Sequence, residues 1–229
     1  STAMIRHPDN PNLSLWYHDN YKGLPVQTAQ GPLITEYARR LYRVVQEALE
    51  RHPRTFAFRL DLRFPDAWSV GEAHGQGDVM RRFMASFKAR IRHNRDQARL
   101  QFRHAHDSDV RYVWAREYGQ QGKPHYHVAI LLNRDAFCSL GHFQPGRDNL
   151  FNRLVSAWGS ALGLDDNQAA GLVELPEHPA YHLYRHDPGS WAPFFYRASY
   201  LCKSATKRYG DGRHGFGASR GLKSTGTRD

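Results

Sequence analysis

From Pro124 to Leu132 the chain reads Pro-His-Tyr-His-Val-Ala-Ile-Leu-Leu. Side chains alternate sides along a strand, so Tyr126, Val128, Ile130 and Leu132 share one face, and His125 and His127 share the other. An apolar row of this kind has to be covered by other elements. The segment therefore implies a sheet with one buried face and one open face that holds two imidazoles. No other stretch of the sequence restricts the fold as tightly.

The flanking sequence supplies the rest of the sheet and its cover. Phe56, Phe58, Leu60, Leu62 and Phe64 alternate with Ala57, Arg59, Asp61 and Arg63, which predicts a strand with one apolar and one polar face. Residues 99–106 and 110–118 read as two strands joined at Asp107-Ser108-Asp109, and a short strand is expected near 171–175. Three- and four-residue spacing of Ile34, Tyr37, Leu41, Val44, Val45, Ala48 and Leu49 predicts a helix over 31–50. A second helix starts at Asp78 as N-cap, burying Val79, Met80, Phe83, Met84, Phe87 and Ile91 while its arginines and lysines face out. Helices are also expected over 148–162 and from Ser190 to Lys207. Strands that follow one another without a helical crossover pair antiparallel. The expected class is α+β, a central antiparallel sheet with flanking helices packed on its apolar face.

Residues 1–30 read as an N-terminal extension whose first four residues resemble a tag remnant, 31–208 as one domain, and 209–229 as a basic, glycine-rich tail able to follow a phosphate backbone. A formal charge of +10 favours a polyanionic partner, nucleic acid being the commonest. The chain has no apolar run of the roughly 18 residues that a membrane helix needs. Cys138 and Cys202 form no pattern, which points to a reduced, cytoplasmic protein.

Two histidines two apart on a strand can reach one ion, and Glu117 joins them if it lies opposite His125 across the hairpin. Two imidazoles and a carboxylate leave coordination positions open, a set that suits Mg²⁺ or Mn²⁺ in phosphoryl transfer. The spacing alone is weak, because 14 histidines in 229 residues produce about one such pair by chance. His104-Ala105-His106 is a second such pair; it abuts a turn and reads as surface or DNA-facing. On the last helix, Tyr196, Tyr200, Lys203 and Lys207 follow one another at spacings of four, three and four, so they share a face. A phenol with a pKa of about 10 becomes a nucleophile only where its anion is stabilised, and a lysine one turn away can help. Standing alone, this helix is an amphipathic one with its tyrosines at the core edge.

Together, His125-Tyr126-His127 and the downstream Tyr200-Leu201-Cys202-Lys203 resemble the HUH endonucleases, named for two histidines around a hydrophobic residue. The stretch from Phe56 to Gly221 is similar to the gene II-type replication initiators of filamentous phages and prophages. Phe56–Phe64 corresponds to that family's first motif strand, and Tyr-Leu-x-Lys before Tyr209-Gly-Asp-Gly corresponds to its C-terminal signature. The resemblance implies the HUH fold and metal ligands at His125, His127 and Glu117. It also implies Tyr200 as nucleophile with Lys203 as helper, and Tyr196 ranks second because Tyr196-Arg-Ala-Ser-Tyr200 matches the two-tyrosine initiators of icosahedral phages. Arg59, Arg63, Lys207 and Arg208 are the expected DNA contacts. The implied activity is metal-dependent nicking and rejoining of origin DNA through a 5′-phosphotyrosine, which starts rolling-circle replication. No phosphate-binding loop motif is present, so unwinding falls to a separate host helicase. A transposase or relaxase with the same chemistry, or a basic DNA-binding protein that cuts nothing, are the alternatives.

Overall fold

The computed structural model of the chain describes residues 4–204 and 215–222. Five short strands come first, β1 (Ile5–Arg6), β2 (Ser14–Trp16), β3 (Asn20–Tyr21), β4 (Leu24–Pro25) and β5 (Leu33–Ile34). They lead into helix α1 (Thr35–Arg51) and the long strand β6 (Arg54–Leu62). Then follow α2 (Val70–His74), α3 (Val79–Gln101), the hairpin β7 (Arg111–Tyr118) and β8 (Pro124–Asn133), and α4 (Leu150–Leu162). The remainder holds α5 (Asp166–Ala169), β9 (Val173–Glu174), β10 (Ala180–Tyr184), α6 (Ala192–Ala198) and β11 (Phe216–Ala218).

The central sheet runs in the order β10-β6-β8-β7-β11, with β9 also paired to β6, and every pairing is antiparallel. The α+β architecture expected from the sequence is the one observed. On the first face, Phe56, Phe58, Leu60 and Leu62 of β6 join Tyr126, Val128, Ile130 and Leu132 of β8 beneath α3 and α4. Trp158 of α4 is fully buried there, and its Nε1 donates to the carbonyl of Arg63 at 2.9 Å. Burying an aromatic or aliphatic side chain of this size contributes about 1.5–3 kcal/mol, so this layer carries much of the fold's stability.

The second face is not open along its length. Ala57, Val113, Ala115, Ala129 and Leu131 pack against α1 through Leu41, Val44 and Val45, and against α6 through Phe194, Phe195 and Ala198. The polar face expected for β6 is thus buried from Thr55 to Arg59. The alanines on this side are small enough for helices to lie close, which a simple apolar-polar alternation does not register. Tyr21, Leu24, Val26 and Leu33 from the N-terminal strands complete this second core, and the backbone N–H of Gln27 donates to Ser199 Oγ at 3.0 Å.

Several boundaries differ from the sequence reading. The strand expected over 99–106 is absent, since α3 continues to Gln101 and the chain then loops to Arg111. Leu100 and Phe102, within that expected strand, are exposed. Asp78 stands at the N-cap of α3, but its carboxylate is held by Arg81 and Arg82 instead of by backbone N–H groups. The last helix stops well before Lys207: α6 tightens into a 3₁₀ turn at Ser199–Cys202, and Lys203 is extended and bridges to Leu33. Part of the expected tail is sheet, for β11 pairs with β7 as an edge strand. Glycine at 217 permits that pairing, because a Cβ there would lie 2.4 Å from the Trp114 ring. Strand β10, with exposed His182 and Tyr184, carries too little apolar pattern to have been read. Among the described residues no helix is long and apolar enough to cross a membrane.

Candidate metal and nucleophile site

The hairpin register places Glu117 opposite His125 and Ala115 opposite His127, and β6 sets Asp61 against His127 from the other side. Positions 59, 61, 117, 125 and 127 therefore share the second face of the sheet. They lie toward the hairpin end, with Ala115 level with His127 and Ala129 level with Arg59. The pairing of Glu117 with His125, conditional in the sequence, is present.

One donor atom from each of Glu117, His125 and His127 lies within 4.8 Å of the others. Glu117 Oε2 is 3.5 Å from His125 Nε2 and is hydrogen-bonded to His127 Nε2. The other nitrogen of His127, Nδ1, is 2.6 Å from Asp61 Oδ1. Asp61 is backed by the guanidinium of Arg59 at 3.6 Å, and Arg59 Nη1 also donates to the carbonyl of Val128 at 3.0 Å. His127 is held from both sides, with Nε2 aimed at Glu117. A carboxylate behind the second nitrogen of a ligating histidine is the usual way of fixing its ring and raising its basicity.

Charge in the cluster follows from these contacts. Burial works against a charged His127 ring, yet the hydrogen bonds to Asp61 and Glu117 outweigh it and raise the pKa above the ordinary histidine value. Burial likewise opposes the Glu117 carboxylate, but hydrogen bonds from His125 and His127 hold its pKa far below the usual range. Positive charge favoured on His127 compensates Glu117. A divalent ion fits the same place: two imidazoles and an anionic carboxylate converge, Asp61 orients one ring, and the side chains are only partly exposed. Glu117, His125 and His127 are the residues that could hold it.

Tyr200 comes to this cluster from the 3₁₀ turn after α6. Its hydroxyl donates to Glu117, 3.2 Å from Oε1 and 3.1 Å from Oε2, and its ring stands edge-on to His127 at 5.0 Å between centroids. Burial and then the Glu117 charge push its pKa up to about 12. Lys203 Nζ lies 5.0 Å from the centre of the Tyr200 ring. Tyr196 does not reach the cluster; it is exposed, and its carbonyl accepts from Gln27 Nε2 and Ser199 Oγ. Because the helix tightens at Ser199, the shared helical face expected for the two tyrosines is broken between them.

Of the expected DNA contacts, Arg59 is buried under the site, while Arg63 pairs with Glu174 at 3.2 Å at the surface. Lys207 and Arg208 lie outside the described residues. The decoy pair His104 and His106 is exposed in the loop after α3. A cavity of about 260 Å³ borders Tyr200 and His127 and is lined by Gln27, Arg59, Glu177, Tyr181 and Arg197 among others. Sequence reading missed this wall, since Gln27 and Tyr181 arrive from the N-terminal strands and β10.

The chain matches the YagK/YfjJ C-terminal domain family from residue 17 to residue 219. It belongs to that family. The match encloses Asp61, Glu117, His125, His127 and Tyr200, so the whole site lies within the family's domain. The chain is 31% identical to Escherichia coli K12 protein YfjJ over 201 residues, covering 83% of this chain and 97% of YfjJ. It is 30% identical to YagK of the same strain over 202 residues, covering 85% of this chain and 97% of YagK. Both relatives are described as uncharacterized proteins. No solved structure matches the chain significantly.

Proposed function

We propose that this chain nicks and rejoins DNA through a covalent 5′-phosphotyrosine at Tyr200, with Glu117, His125 and His127 holding Mg²⁺ or Mn²⁺, and that the nick starts rolling-circle replication. The observation that carries the reading is the Tyr200 hydroxyl, 3.1 Å from the carboxylate of the three-donor cluster. The hydrogen bond holds the Tyr200 hydroxyl beside the three donors, where a phosphate would be met, and the raised pKa keeps the phenol protonated until a cation and Lys203 stabilise its anion.

The chemistry asks this of the residues. Tyr200 Oη attacks phosphorus as the bond to the departing 3′-oxygen breaks, leaving a 5′-phosphate on tyrosine and a free 3′-hydroxyl. A cation bound by the three donors supplies polarisation of the phosphate oxygens. Tyr200 has to lose its proton to solvent in the cavity beside it, since the Glu117 carboxylate, held far below its usual range, is a weak acceptor. The Lys203 ammonium over the ring favours the phenolate that results. Asp61 keeps His127 in one orientation throughout. In the reverse step a 3′-hydroxyl attacks the phosphotyrosine and Tyr200 leaves, so the bond is restored without ATP. Strand separation belongs to a separate helicase.

The test is incubation of the protein with single-stranded oligonucleotides from its own upstream region, with and without Mn²⁺. A covalent adduct on a denaturing gel, dependent on metal and absent in Tyr200→Phe, is the expected result. Adduct formation that survives Tyr200→Phe removes Tyr200 as nucleophile and turns attention to Tyr196. Adduct formation that survives a His125→Ala/His127→Ala double change overturns the metal site. DNA binding with no adduct under any metal supports the non-catalytic alternative.

A further inference from the structure

Helix α3 packs on the first face of the sheet, on the side away from the Glu117, His125 and His127 donors. Between Val79 and Gln101 it carries seven lysines and arginines and a single acid, Asp96. Its packing uses an apolar stripe from Val79 to Ile91, with Arg82 also donating to the Ala161 carbonyl of α4 at 3.1 Å. Some of the cations have internal duties. Arg81 and Arg82 hold Asp78, Arg99 holds Asp96 and Asp107, and Arg95 covers the Phe137 ring.

Lys88 and Arg92 are different. Both are exposed, and neither forms an ion pair among the described residues; Lys88 rests only on the Tyr112 ring, at 5.1 Å. They border a groove of about 570 Å³ between α3, the start of β7 and the Ser219-Arg220 segment after β11. Exposed Arg220 adds a third cation there that has no ion pair among the described residues. The acids along the groove are already neutralised, Asp96 and Asp107 by Arg99 and Asp109 by Arg111 and Arg51. Ala85 and Ala89 are exposed between the basic side chains and keep the helix surface low. Beyond the helix, Arg103 and His104 are exposed beside Phe102, which is 71% exposed.

We propose that the outer face of α3 and the groove at Lys88, Arg92 and Arg220 dock duplex DNA. The surface is separate from the nicking site, on the other side of the sheet, and the inference does not depend on the proposed chemistry. Charge selects a polyanion, and shape selects the duplex. A helix of 23 residues is about 35 Å long, close to one turn of B-form DNA. Lys88 and Arg92, about 6 Å apart on one rigid helix, and Arg220 across the groove match phosphates already fixed along a rigid axis, whereas a flexible single strand must first be ordered at an entropic cost. The protein would then hold duplex on one side while a single strand lies at Tyr200 on the other.

The test is fluorescence anisotropy of a labelled 20-base-pair duplex with the full chain across a NaCl series. Lys88→Glu/Arg92→Glu is expected to bind at least tenfold more weakly, with a slope of log K against log salt shallower by about 2, near 0.9 for each lost phosphate contact. Arg6→Glu/Arg43→Glu, on β1 and α1, changes net charge equally and is expected to keep most of the affinity. The proposal is overturned if the α3 variant binds like the parent, if the control loses as much, or if only single-stranded binding suffers. Tyr200→Phe is expected to bind the duplex normally whether or not the parent forms an adduct, so failure of docking and failure of nicking are read separately.

Discussion

Asp61 offers the sharpest test of the metal centre, because it touches no donor except His127 and would not itself ligate. Its Oδ1 lies 2.6 Å from His127 Nδ1, a charge-assisted contact in a partly buried place. Hydrogen bonds to charged groups contribute about 1.5–3 kcal/mol, against about 0.5–1.5 kcal/mol for neutral ones. Asp61→Ala removes the whole contact, frees the ring to rotate and lowers its basicity. Since about 1.4 kcal/mol is tenfold, Mn²⁺ affinity should fall about 10–100-fold, the range seen when such supporting carboxylates are removed. Asp61→Asn still offers an oxygen to Nδ1 and should lose only about tenfold. The assay is isothermal titration calorimetry with MnCl₂ at alkaline pH, with thermal unfolding of each variant alongside, since Arg59 loses its carboxylate partner. At lower pH the handicap should shrink, because the carboxylate that orients the ring also favours a proton on it, and that proton competes with the metal. Wild-type affinity in a folded Asp61→Ala protein would refute the account of how His127 is held.

Three further expectations concern the scaffold. Gly217→Ala forces a Cβ into the Trp114 ring and should destabilise the protein by about 1–3 kcal/mol in urea unfolding, as overpacking does; an unchanged midpoint would mean that β11 shifts freely. Trp158→Ala should cost about 3–5 kcal/mol by the same measurement, since it empties the first core and leaves the Arg63 carbonyl without its indole donor. His52 Nε2 accepts a hydrogen bond from the Asp109 backbone N–H at 2.9 Å, and burial holds the pKa of this histidine below its ordinary value. A depressed folded pKa means stability that is complete above the unfolded value, about 6.5, and lost as pH falls below it. His52→Gln keeps an acceptor without a titrating ring, so its stability should fall less between pH 7 and 5 than that of the parent; parallel curves would rule out the linkage.

The donor set was legible because strand periodicity is a local rule. Once Pro124–Leu132 is a strand, His125 and His127 must share a face, and a short hairpin brings Glu117 across from His125. Asp61 was legible only as a polar-face residue of its strand, since its register against His127 depends on a pairing between strands far apart in sequence. What was lost depended on tertiary context. Leu100 and Phe102 have strand-like spacing, but continuation of α3 and the absence of a partner decided otherwise. The separation of Tyr196 from Tyr200 arises where α6 tightens at Ser199, with Ser199 Oγ taken by the Gln27 backbone and the Tyr196 carbonyl. No helical-wheel argument contains that contact. The second cover of the sheet hid behind alanines, whose size matters more there than their hydropathy.

Strand β11 also bears on how the protein is made. Glu117 sits on β7, and the outer neighbour of β7 comes from Phe216–Ala218, near the end of the sequence. As the chain leaves the ribosome, β7 and β8 can close their hairpin early, but β7 keeps a row of unpaired backbone groups until Phe216 emerges. Such an open edge invites pairing with other chains. Truncation before Phe216 would make that vulnerable interval permanent, so shortened forms of the chain should be lost to aggregation before any deficit in chemistry can be measured.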